Sequence, residues 1–318
     1  EGYREFLTRR MWRIYPMWWG AHLFFLFLSL FVGRYGMQPL DPKFCLSVIG
    51  FRATPNTIYY FAPAWWYIGL ILQLYLVFPL LARWLRTMGP IRFLLWTVGA
   101  SLLVRLVGLY AFNDYLDAWS RGAIFITRLP EFALGMALAW WMCERPAATD
   151  RTLRNGGVVA GAVVLYIVAT GLALTLWGMA VAPLLHGAAE FVLLYSAISW
   201  AGEHLGAVTS ALAWFGGISY SLYLTHHPVT AFLVDRTMSP SLADIAFGAL
   251  VLAVAVVVAL LLERAVGWVE TRLVERFRRN GARWMVARLV AAVFVAVAVL
   301  LGAEAMVRHF VPQEQPEL

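Results

Sequence analysis

Apolar residues fall along the chain in long runs, broken by short clusters of arginine, glycine and proline. A bilayer-spanning helix needs about 20 mostly apolar residues at about 1.5 Å of rise each. By that measure nine segments qualify: 15–33, 62–82, 93–112, 121–142, 156–176, 181–201, 212–233, 244–263 and 285–304. The pattern predicts an all-α polytopic transmembrane helix bundle. Breaks such as Met88-Gly89-Pro90 and Met238-Ser239-Pro240-Ser241 separate the runs. The longest break, Arg34 to Phe61, contains Pro39, Pro42, Pro55 and Asn56 and reads as an ordered external loop or a re-entrant segment.

The arginines orient these runs. With the N-terminus in the cytoplasm, one side receives Arg4, Arg9, Arg10 and Arg13, then Arg83, Arg86 and Arg92, then Arg145, Arg151 and Arg154, and finally a cluster from Arg264 to Arg283. The other side keeps few. The positive-inside rule therefore predicts N-terminus in and C-terminus out. The stretch Glu263 to Arg283, with Glu and Arg at helical spacing, reads as a cytoplasmic amphipathic segment or a solvated connector.

Composition agrees: 62% of residues are hydrophobic and 14% charged, with mean hydropathy +0.72, more apolar surface than a water-soluble fold of this length can bury. The net charge of +7 would suggest nucleic acid in a soluble protein. Here the cations are topology signals between apolar runs, and no nucleic-acid partner is expected; membrane lipids are. The cysteines, Cys45 and Cys143, are predicted to lie on opposite sides of the membrane, which excludes a disulfide between them. The chain begins Glu1-Gly2-Tyr3-Arg4, with no signal-peptide pattern, and reads as a trimmed or partial protein. Hydropathy shows no internal repeat, which counts against a repeat-built transporter. No phosphate-binding glycine fingerprint is present, and Gly216-Gly217 and Gly156-Gly157 read as places for close helix packing.

Several polar groups stand out against this background. Arg10 and Arg13 are three apart, so on a helix their planar donor forks share a face and can grip one anion; the same arginines also serve as a positive-inside anchor. Arg128 and Glu131 can pair within the fourth span, with Pro130 between them freeing a carbonyl and kinking the helix. Arg105 sits mid-span and requires an acceptor on another helix or a wet cavity. His186 and Glu190 share a face, where the carboxylate could orient the imidazole, and His22 lies inside the first span. Between Ser219 and His227, Tyr220, Tyr223 and His227 form one polar stripe and Ser219, Tyr223 and His226 its neighbour. Such stripes line a cavity or act as interhelical hydrogen-bond glue. No His, Cys and carboxylate pattern with ligand spacing appears, so no metal is expected.

Four of these stretches resemble, in order, motifs of the membrane acyltransferase 3 family, bacterial O-acyltransferases of surface polysaccharides. Arg9-Arg10-Met11-Trp12-Arg13-Ile14-Tyr15-Pro16 is similar to the family's R-x-x-R-I-x-P, and the run Trp66 to Pro79, with Gln73 and Tyr75, to its W-[FY]-[LI]…Q-[FL]-Y-L-x-F-P. Arg128-Leu129-Pro130-Glu131-Phe132-Ala133-Leu134-Gly135 resembles R-x-x-E-F-x-x-G, and Gly217 to His226 resembles G-x-I-S-Y-S-L-Y-L-x-H. The resemblance implies an enzyme taking an acyl group, acetyl by expectation, from cytoplasmic acyl-CoA to a hydroxyl of a cell-surface glycan or lipid-linked saccharide, with no further cofactor. It favours donor binding over simple anchoring for Arg10 and Arg13. It makes Arg128, Glu131, Tyr223 and His226 the candidate catalytic residues, lining a cavity and orienting substrates. Many members carry Glu where this chain has Ile71. The family's expected base is a His in a first span, so the resemblance also implies that residues 1–283 are a core lacking two spans and that this chain alone is inert. Trp284 to Glu304 is then an additional helix, and 305–318 either an extracytoplasmic linker continuing toward an SGNH-type hydrolase-like domain or a short extracytoplasmic tail. The competing classes are a non-enzymatic lipid or glycan transporter and a membrane scaffold.

Overall fold

The computed structural model describes residues 2–29, 42–111, 123–175, 177–237 and 243–280, and all regular structure within them is helical. The helices are α1 Tyr3–Ser29, α2 Pro42–Val48, α3 Pro55–Ile58, α4 Trp66–Ala111, α5 Leu129–Glu144, α6 Pro146–Leu153, α7 Gly156–Leu172, α8 Gly178–His204, α9 Gly206–Thr237 and α10 Ala243–Asn280. Short 3-10 turns at Pro63–Trp65 and Phe125–Arg128 lead into α4 and α5.

Among the described residues, three stretches are long and apolar enough to cross a bilayer: Pro63–Ala111, Ala180–His204 and Phe247–Arg272. The pair Pro146–Leu153 and Gly156–Leu172, bent by 56°, would make a fourth if it is one span. The first stretch is broken at Gly89, whose φ of 78° and ψ of 164° suit glycine alone, with Pro90 following. Each arm of α4 is then about 33 Å long at 1.5 Å per residue, enough for a hydrocarbon core of about 30 Å.

The expected nine spans are not reached among the described residues, for physical reasons that differ by helix. Trp, Tyr, Pro and His dilute the hydropathy of α1, and the run from Ser219 to His227 does the same for α9. Helix α5 begins at Leu129 rather than near 121 and has 16 residues. Pro130 therefore occupies its first turn, where a missing N–H costs nothing, and does not kink a helix already under way. The segment from Glu263 is no separate amphipathic element, since α10 runs unbroken through it to Asn280. The predicted span 285–304 and the tail 305–318 lie outside the described residues.

The described residues divide into two compact units. The first, drawn from Glu1–Phe51, Tyr59–Trp65 and Gly217–Leu318, is organised by aromatic rings. Trp18, Phe25, Phe61 and Trp65 are buried, with Phe61 stacked on Trp65 at 5.8 Å. Helix α1 packs on α10 where Gly20 lies so close that a Cβ would come within 2.8 Å of Val266. The same two helices border an apolar groove of about 750 Å³.

The second unit comprises Arg52–Ile58 and Trp66–Gly216. Its core joins both arms of α4 to α5 through Leu70, Leu74, Leu81, Leu85, Phe93, Leu129 and Ala133. Gly69 lets α4 approach buried Arg52, where a Cβ would meet the Arg52 Cβ at 2.6 Å. Helix α7 starts from Asn155, whose side chain accepts from the N–H groups of Gly157 and Val158. Close approach was expected at Gly156-Gly157 and Gly216-Gly217, but a Cβ at Gly156, Gly216 or Gly217 would meet no described atom within 4 Å, and one at Gly157 would meet only the capping Asn155 Oδ1, at 3.2 Å. The described glycines at which a Cβ would come within 3.0 Å of another residue are instead Gly20, Gly69, Gly178 and Gly187.

Candidate functional site

In the second unit, the start of α5 is held by its neighbours before any charge is considered. Gln73 on α4 uses both ends of its amide: Nε2–H donates to Ala123 O at 3.0 Å, and Oε1 accepts from Phe125 N–H at 3.0 Å. Pro130 has no N–H to return to the preceding turn. The Thr127 carbonyl instead accepts from Ser101 Oγ at 3.1 Å, from Arg105 Nε at 2.9 Å and from Arg105 Nη2. The expectation that Pro130 frees a carbonyl thus holds without the kink.

This answers what Arg105 needs. Its side chain is 3% exposed, and Nη1 donates to Ala180 O at 2.9 Å while Nη2 also reaches Glu131 Oε1 at 3.3 Å. Arg128 Nη1 donates to the same Oε1 at 3.3 Å, so the expected Arg128 and Glu131 pair forms and is joined by a third charge. Two guanidiniums face one carboxylate, leaving an excess of one positive charge. A site of that sign can stabilise negative charge developing on a reacting oxygen. Glu131 Oε2 and Arg128 Nε are buried and have no partner among the described residues. His186 spends its ring on α7: its Nε2 is 3.1 Å from Thr170 Oγ1 and its ring packs on Tyr166, and no bond to Glu190 forms among the described residues.

In the first unit, the polar stripe of α9 spends most of its hydroxyls on other elements. Tyr220 donates to Ile14 O at 3.0 Å, Tyr223 to Ala64 O, and Ser221 to Glu263 Oε1 on α10. These are the interhelical bonds that one reading of the stripe anticipated. His226 Nδ1–H donates to Leu222 O at 3.2 Å, which leaves the lone pair of a neutral ring on Nε2. Its ring centroid is 6.0 Å from that of Tyr223. His22 is more fully engaged: Nδ1–H donates to Trp18 O at 2.9 Å, and Nε2 accepts from Ser47 Oγ at 3.0 Å. The four candidate catalytic residues thus fall in different units, Arg128 and Glu131 in one and Tyr223 and His226 in the other.

Along the first turns of α1, Phe6, Arg9, Arg10 and Arg13 line an open pocket of about 410 Å³. The Arg10 guanidinium lies 5.4 Å over the Phe6 ring, a cation–π contact that holds it beside its neighbours. Helical spacing puts these four residues on one face. The structure therefore joins Arg10 to Arg13, as the spacing predicted, and adds Arg9 and Phe6.

A family model for an acyltransferase domain, acyltransferase 3, matches residues 1–264. The chain belongs to the acyltransferase 3 family. No curated protein and no solved structure matches it. Membership makes this a membrane acyltransferase, and the match includes the arginine pocket, Gln73, the Arg105 cluster and the α9 stripe. Sequence reading missed the roles of Gln73, Ser101 and Gly187; the first stands in a motif that could have signalled it, while the others carry no local signature. Among the described residues no three His, Cys, Asp or Glu side chains come together as a metal site requires.

Proposed function

We propose that this acyltransferase takes an acyl group, acetyl in the simplest case, from cytoplasmic acyl-CoA and delivers it to a hydroxyl of a cell-surface glycan or lipid-linked saccharide. The observation that carries the reading is the pocket of Arg9, Arg10 and Arg13 with Phe6 on one face of α1. Three arginines lining one pocket suit a phosphate-rich ligand, because each guanidinium offers paired donors to phosphate oxygens. Arginines at the start of a membrane helix are expected on the cytoplasmic side, where a thioester donor is available. The remaining spans of the predicted nine belong to the same proposal, as does a bacterial cytoplasmic membrane with the N-terminal segment inside.

In the transfer, the acceptor hydroxyl oxygen attacks the thioester carbonyl, its proton leaves to a base, and collapse of the tetrahedral oxyanion breaks the C–S bond and releases the thiolate of CoA. Arg128 and Glu131 orient the reacting groups, and the excess positive charge beside them suits the oxyanion. Tyr223 and His226 are the candidates of the other unit, with His226 Nε2 able to accept a proton.

The test replaces Arg10 and Arg13 together by Ala in the full-length protein and measures acetyl-CoA binding by calorimetry and acetyl transfer to envelope glycan with radiolabelled donor. Binding should fall by at least tenfold and transfer with it, whereas Lys at both positions should retain part of each, because the charge stays but the fork is lost. Wild-type binding in the double Ala variant would refute the donor site. Movement of unlabelled glycan without incorporation would refute acyl transfer to it.

A further inference from the structure

We infer that Arg105 is the positioning residue for the Glu131 carboxylate and that Gly187 is the surface it works against. The inference rests on the reading above in which Glu131 contacts substrate, and it assigns a role to two residues that do not.

A guanidinium buried in an apolar helix arm is costly unless its donors are placed. Arg105 places them mainly on backbone: Nε and Nη2 on Thr127 O, and Nη1 on Ala180 O. Those carbonyls belong to the turn before α5 and to the first turn of α8, so the plane of the guanidinium is set by two backbone segments and not by Glu131. The remaining Nη2 bond, 3.3 Å to Glu131 Oε1, therefore comes from a donor that is already fixed. Arg128 offers the same oxygen a bond of equal length, but its side chain is 27% exposed. Of the two partners, Arg105 is the rigid one.

The other side of Glu131 is closed by α8. A Cβ built at Gly187 would lie 2.7 Å from Glu131 Cγ and 3.6 Å from its Cβ, so the carboxylate stem occupies the volume that any larger residue at 187 would need. Glu131 is thus confined between a fixed donor at its head and a glycine at its stem. The confinement holds Oε1 and leaves Oε2, buried and without a partner among the described residues, as the oxygen whose acceptor capacity is unspent. Positioning of this kind matters because a displacement of about 1 Å can cost about 10²-fold in rate.

The experiment compares Arg105→Gln, Arg105→Lys, Gly187→Ala and Glu131→Gln, singly and with the first and third also combined with Glu131→Gln. The readouts, taken on the full-length protein, are steady-state acyl transfer and the amount of monodisperse protein in detergent. Arg105→Gln and Gly187→Ala should each lower kcat by about 10²-fold while leaving KM for the acyl donor nearly unchanged. Arg105→Lys should fall between, since an ammonium keeps the charge without the fork. In the Glu131→Gln background neither should lower the rate further, because both act through the same carboxylate. Losses that add in full to that of Glu131→Gln would overturn the inference and make Arg105 a purely architectural residue. Should Arg105→Gln fail to yield folded protein, Gly187→Ala alone decides, since it displaces Glu131 without touching the buried guanidinium. If Glu131→Gln is inactive while Gly187→Ala and Arg105→Lys transfer at the wild-type rate, the positioning role fails and the Glu131 reading stands. If Glu131→Gln itself retains the wild-type rate, the Glu131 reading fails and the positioning role fails with it.

Discussion

The two compact units bury polar groups in opposite ways. Around His22 the solution is aromatic and neutral: Trp18, Trp65 and Phe61 lie with ring centroids 4.4, 4.8 and 5.3 Å from the imidazole, both of its nitrogens are hydrogen-bonded, and the Trp65 indole N–H donates to Leu224 O at 2.9 Å. Around Arg105 it is ionic, with two arginines on one carboxylate and buried atoms of Arg128 and Glu131 left over. Rings contribute packing whatever their neighbours' protonation, whereas a buried charge depends on the acceptors and countercharge placed around it. The aromatic cluster is thus suited to scaffolding and the ionic one to chemistry.

Single substitutions should separate the two. Arg105→Met should destabilise by about 3–5 kcal/mol, read as a lowered unfolding midpoint in mixed micelles, because it removes one partner of a buried ionic group. Adding Glu131→Leu should restore part of that loss without restoring activity, since a buried pair exchanged for apolar residues can be nearly neutral. Trp65→Ala should cost a similar 3–5 kcal/mol. No second apolar substitution should rescue it, and a rescue by any neighbouring change would erase the contrast between the clusters. His22→Phe keeps a ring in the cage but strands the Ser47 hydroxyl, for an expected loss of about 1 kcal/mol and no loss of transfer. A collapse of transfer with intact folding would instead put His22 in the chemistry. Tyr220→Phe removes one interhelical bond, for about 0.6 kcal/mol. At the surface, the Arg154 and Glu203 pair, 2.6 Å apart, is solvent-exposed, and Glu203→Gln should leave the unfolding midpoint where it was.

How much of this could be read beforehand varies by residue. The Arg128 and Glu131 pair and the shared face of Arg10 and Arg13 follow from helical spacing alone, because a short-range ion pair or donor face is a local property. The start of α5 was misplaced because hydropathy runs smoothly across it, while Pro130 in a first turn and Pro130 at a kink look alike in a sequence. The expected His186 and Glu190 pair had correct spacing, yet Thr170 and Tyr166 on the preceding helix take up the imidazole. Nine apolar runs were legible, but length and apolarity together are met by fewer described helices, since aromatic and hydroxyl-rich stretches give up hydropathy for contacts within the fold.

Periodicity and composition are therefore sufficient physical causes for the class, the helical runs and the arginine face of α1, and the four motifs stand in the residue order itself. Only the tertiary structure decided which acceptors Arg105 would find, that Gln73 would tie the start of α5 to α4, and that Gly187 would have to be small. Those outcomes rest on contacts between residues from 22 to 75 positions apart, such as Arg105 with Thr127 and with Ala180, and no local pattern encodes a distance of that kind. A buried guanidinium states in the sequence that it must have partners; the packing of neighbouring helices determines which carbonyls are within 3 Å.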